Sequence, residues 1–182
     1  MMYLSIVAAF IAALFASAPP PPADQPTYVG MKICSQCHST PKSGKQADIW
    51  SKSKHADAYN ALTSPKALEI GKAKGIANPA ESKECLECHS LGKTVAPEML
   101  GASFDIKNGV QCETCHGAGS AYKMASTMRD KAKAIEAGMV SFKDEAAIES
   151  FCKTCHNEKS PTFKEFKFKE RWDMIKHYKP KE

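Results

Sequence analysis

The chain predicts a mainly α fold, with short helices and loops packed around material that the polypeptide does not itself supply. Three observations carry that expectation. All eight cysteines fall in four Cys-x-x-Cys-His strings. Helical periodicity recurs in short stretches around those strings, while strand signals are thin. Large aliphatic residues are sparse beyond residue 18, and much of the 43% apolar fraction is alanine. At 182 residues there is room for one domain, and its core must be filled from elsewhere.

The strings are Cys34–Cys37–His38, Cys85–Cys88–His89, Cys112–Cys115–His116 and Cys152–Cys155–His156. Two thiols three residues apart add to the two vinyl groups of one porphyrin, and the histidine that follows reaches the iron from the proximal side. A zinc or iron–sulfur site has no use for a histidine directly after the second thiol in every string. Disulfides at this spacing would staple little of the fold. Thioredoxin-like chemistry needs its motif on a βαβ unit, and none is visible. The reading is four covalently bound haem c groups, with His38, His89, His116 and His156 as proximal ligands.

Each ferric haem c carries one net negative charge and each ferrous haem two. The formal charge of +5 therefore falls to about +1 oxidised and about −3 reduced. The basic residues are nearly all lysine, with Arg129 and Arg171 the only arginines. They suit propionates and a docking surface, and no nucleic-acid role follows.

Taken in order, residues 1–18 form an apolar run ending in Ala16-Ser17-Ala18, which reads as an export signal, with an uncleaved anchor as the rival. Pro19 and the prolines after it make 19–27 an extended linker. The haem domain is expected over 28–182. Within it, 45–62 is helical in pattern, with His55, Ala58, Tyr59 and Leu62 on one face. Pro65 opens a second helix that stops near Gly75. A third is expected over 123–137, a fourth over 144–156 carrying the last motif, and a final one over 166–177. Residues 102–106 carry the one strand-like signal, ahead of an Asn108-Gly109 turn.

Four irons offer eight axial positions, and the chain has six histidines. Four are proximal, so His55 and His177 are the candidate distal ligands. The other two distal positions fall to methionine, another group or nothing. Met99, Met124, Met128 and Met139 lie within reach of a motif in sequence.

The segments YVGMKICSQCH, IWSKSKHADAYNAL, ECLECHS, NGVQCETCHGAGS, FCKTCHNEKSP and FKFKERWDMIKHYK, in that order, resemble the tetrahaem cytochrome c-554 family. The resemblance implies that His55 ligates the third haem and His177 the fourth. It implies a five-coordinate second haem held by His89 alone. The family's distal histidine for the first haem has no counterpart here, and Met128 is the expected replacement, with Met124 as alternative. It further implies an exported carrier, not an enzyme, passing electrons between a dehydrogenase and other cytochromes or a quinone reductase, with membrane contact only if residues 1–18 are retained. Two alternatives stay beside it: a small nitric oxide or hydroxylamine reductase working at the open haem, and a subunit of a conducting cytochrome filament.

Overall fold

The structure, a computed structural model, describes residues 25–91, 94–178 and 180. The export run 1–18 and most of the linker, 19–24, lie outside the described residues. Among the described residues the chain is helical, and its one β feature is an isolated parallel bridge between Tyr28 and Leu100. There Tyr28 N donates to Met99 O, and Gly101 N donates to Tyr28 O.

The helices are short and locally specified. They are α1 (Met31–His38), α2 (Gln46–Ser51), α3 (Ala58–Ala61), α4 (Pro65–Ala73), α5 (Lys83–His89), α6 (Cys112–His116), α7 (Ala125–Met128), α8 (Lys131–Glu136), α9 (Glu145–Cys152) and α10 (Phe168–Ile175). Ser64 caps α4 by accepting from Ala67 N, with Pro65 at the first helical position. Asp130 caps α8 through Ala132 N and Lys133 N, and Asp144 caps α9 through Ala147 N.

Three expectations change. The pattern over 45–62 resolves into α2 and α3, separated by turns over 52–57 that carry His55. The segment 123–137 splits in two, because the Asp130 side chain holds the N–H groups that open α8. Residues 102–106 are not a strand, and a 3₁₀ turn (Ile106–Asn108) follows them. The helix expected over 144–156 changes as well: the first three motifs end helices α1, α5 and α6, whereas α9 stops at Cys152 and His156 lies in the turn beyond.

The polypeptide core is small. Leu62, Ala80 and Leu86 are buried together, with Tyr59, Cys85 and Ile106 packed against them. This cluster sits where α3 meets α5 and the 106–108 turn. Apolar side chains such as Met124, Met174 and Tyr178 stay more than half exposed. That is the pattern expected of a chain that relies on cofactor surface for its apolar burial.

Candidate haem-attachment sites

Motif one is held by motif three. Gly30 stands at the N-cap of α1, where no side chain of its own helix caps it. The Glu113 carboxylate, from between the cysteines of α6, accepts instead from Val29 N at 2.8 Å and Gly30 N at 2.6 Å. It also accepts from Gly119 N at 2.7 Å. Gln111 accepts from Met31 N at 2.7 Å and donates to Asp105 O at 2.9 Å. Both side chains are 2% exposed. The exposed N–H groups at the start of a helix favour an anion, so the α1 terminus is satisfied from a distant part of the chain. Glycine is required at position 30: its φ is +84°, and a Cβ there would lie 2.9 Å from Phe104 Cα and Ser103 O.

The cysteine pairs converge in a definite order. None of the eight is joined in a disulfide. Cys34 Sγ of motif one donates to Gly30 O and Cys112 Sγ of motif three to Met31 Sδ, and the neighbouring Cys112 together with burial pushes the Cys34 thiol up. Cys115 of motif three is pushed up to about 12 by burial, with Cys152 and Cys155 of motif four nearby. Cys88 of motif two is pushed up to about 11, by burial first and then by Cys155. Neighbouring motifs therefore run one, three, four, two. Among the described residues no three of these side chains are gathered as a tetrahedral metal site would require.

Four imidazoles are oriented through their Nδ1 atoms. His89 Nδ1 lies 2.6 Å from Ala58 O, and His116 Nδ1 lies 3.2 Å from Val140 O. His177 Nδ1 lies 3.0 Å from Ile175 O. A carbonyl only accepts, so each Nδ1 carries the proton and each Nε2 keeps its lone pair. His38 Nδ1 faces Gln46 Oε1 at 3.3 Å, while the Gln46 amide donates to Ser43 O. This is the outer hydrogen bond that a metal-bound histidine usually makes. Burial, with His156 close by, holds His55 below the usual histidine range. Burial does the same to His116, and to His156 together with Arg171 and His89. The ligating neutral form is favoured at all three.

The rings also pair. His55 and His156 have centroids 6.0 Å apart, and His116 and His177 have centroids 6.1 Å apart. Two imidazoles on one iron, each with a metal–nitrogen bond of about 2.0 Å, hold their centroids roughly 6 Å apart once the ring radii are added. The haem group fits both gaps. His156 is further stacked on Phe166, with centroids 4.6 Å apart and planes inclined by 10°.

These ring contacts differ from the ligand pairing that the resemblance implied: His55 lies beside His156 of the fourth motif, and His177 beside His116 of the third. Sequence order hides the reason. Val110 N donates to His55 O at 2.9 Å and Trp50 Nε1 donates to Val110 O at 2.7 Å, so the loop ahead of α6 grips the His55 segment by its backbone. The chain after α10 instead folds back toward the loop that follows motif one, with Tyr178 O against Gly44, and this brings His177 to α6.

No histidine remains for His38 or His89. Met124 is 60% exposed at the N-cap of α7, and Met128 is half-buried at the end of that helix. Sequence reasoning passed over Glu113, Gln111, Trp50 and Phe166. An acid placed between two cysteines was the one available sign of the first. Two buried polar atoms among the described residues lack a hydrogen-bond partner, Thr114 Oγ1 and Trp172 Nε1.

Residues 33–117 match the family model described as cytochrome c554 and c-prime. A curated relative, cytochrome c-554 of Nitrosomonas europaea, is 32% identical over 106 residues, covering 56% of this chain and 42% of that protein. The match thus spans less than half the relative's length. No solved structure matches significantly.

Proposed function

We propose that the chain, whose residues 33–117 match the cytochrome c554 and c-prime family, is an exported tetrahaem electron carrier. The observation that carries this reading is the pair of facing imidazoles at about 6 Å, found twice. A bound haem would supply a one-electron ferric/ferrous couple at each motif. The chain does the rest. Each Cys-x-x-Cys pair fixes a porphyrin edge, and each proximal imidazole is oriented through its Nδ1–H. His55 with His156, and His177 with His116, would each hold one haem iron. A haem closed on both faces has no position for substrate, which leaves outer-sphere electron transfer.

Met128 would be the sixth ligand of the haem on His38 in preference to Met124, which is 60% exposed. The thioether would raise that haem's potential above those of the two bis-histidine haems. Partners are redox proteins that meet the lysine-rich surface, a dehydrogenase on one side and another cytochrome or a quinone reductase on the other. No helix among the described residues is long and apolar enough to cross a membrane.

Counting haems per chain by intact mass under denaturing conditions, together with alkylation of free thiols, tests the premise. Four haems and no alkylatable cysteine are expected, and three or fewer in fully matured protein would remove it. A second reading is favoured by His89, which is oriented by Ala58 O yet left without a facing imidazole. Its iron would stay open and bind nitric oxide. Catalysis also needs a proton donor beside the bound ligand, and no histidine is left to serve. Turnover of nitric oxide or hydroxylamine as fast as electron transfer to a partner cytochrome would favour a reductase.

A further inference from the structure

We propose that the indole N–H of Trp172 donates a hydrogen bond to a propionate of the haem held between His116 and His177, and so sets that haem's potential. The inference rests on the haem reading above. Trp172 Nε1 is buried, and no protein acceptor reaches it. An indole nitrogen is a donor only, and leaving such a group buried and unpaired is unfavourable. The acceptor must therefore come with the cofactor. The pyrrole nitrogens of a haem are taken by iron, so its propionates are the acceptors it offers.

The choice of haem follows from where the orphaned atoms lie. Trp172 is on α10, whose last turn leads into His177: Lys176 N donates to Trp172 O at 2.8 Å, and the next residue is the histidine facing His116. The other orphan, Thr114 Oγ1, is inside the third motif itself. Both unpaired groups thus belong to the two elements that grip one haem. Phe168 stacks on Trp172 in nearly parallel planes, 11° apart, and fixes the plane in which the N–H lies.

The positive end of the N–H dipole on a propionate offsets negative charge that would otherwise stabilise ferric iron. Trp172→Phe keeps the stacking surface and removes the donor. Haem-resolved redox titration of the holoprotein, followed by electron paramagnetic resonance, should show one potential falling, that of the His116–His177 haem. Haem count and low-spin count should stay as in the unaltered protein. If the count itself is not four, the haem reading fails. If four haems are present and no potential moves, or another haem's moves instead, this assignment fails. A second measurement needs no variant. The ultraviolet resonance Raman spectrum of the unaltered holoprotein should contain no free-indole component, because Trp50, the chain's other tryptophan, already donates to Val110 O. A free component would overturn the proposal.

Discussion

At the scale of single residues, the histidine pairs make predictions that the sequence-derived pairing does not. Replacing His177 with Ala should turn one haem from low to high spin, and that haem should be the one on His116. Replacing His55 with Ala should do the same to the haem on His156. Magnetic circular dichroism of each variant, paired with loss of the matching proximal histidine, assigns which haem changed. The opposite assignment would restore the pairing that the family resemblance implied. Gly109 is a third handle. Its φ is +65°, and an added Cβ would run into the His55 carbonyl. Gly109→Ala should therefore displace His55 without touching a ligand, and weaken the low-spin signal of the same haem. An unchanged spectrum would show that the 108–110 loop does not position His55.

At the scale of elements, α1 depends on α6. Removing the Glu113 side chain leaves the N–H groups of Val29, Gly30 and Gly119 unpaired in a dry site. Each buried orphan costs about 1–3 kcal/mol, so Glu113→Ala should cost about 3 kcal/mol or more in chemical denaturation followed at the Soret band. Glu113→Gln keeps an acceptor oxygen and should lose distinctly less. Equal losses would mean that shape, and not hydrogen bonding, makes the contribution. Helices with their own punctuation were legible in the sequence: Ser64-Pro65 before α4, Asp144 before α9, and the periodic stretch that became α10. The break between α2 and α3 was not, because no glycine or proline marks 52–57. The segment leaves the helical path where Val110 takes the His55 carbonyl, a contact between residues 55 apart in the chain. The same limit hid the ligand pairing. The cysteines and histidines of the candidate site stood out by their spacing, whereas Glu113, Gln111, Trp50 and Phe166 did not, and which histidine lies beside which depends on loops that the local sequence does not encode.

At the scale of the molecule, the thiol neighbourhoods put the four motifs in the spatial order one, three, four, two. The imidazoles repeat it, for His116 senses the charge of His38, and His156 that of His89. On the proposed ligation, the haems on His116 and His156 would be the inner members of that row and those on His38 and His89 the outer ones. An electron entering at either end would cross the two closed haems in the middle, so spin coupling should be found between the haems on His38 and His116, and between those on His156 and His89.

The ferric holoprotein's quantitative electron paramagnetic resonance spectrum tests this arrangement most directly. Of four irons per chain, it should contain two low-spin centres with bis-imidazole character, one low-spin histidine–methionine centre and one high-spin centre. A spectrum with fewer than two bis-imidazole centres would contradict the account, because the facing rings of His55 with His156 and His116 with His177 would then not be iron ligands.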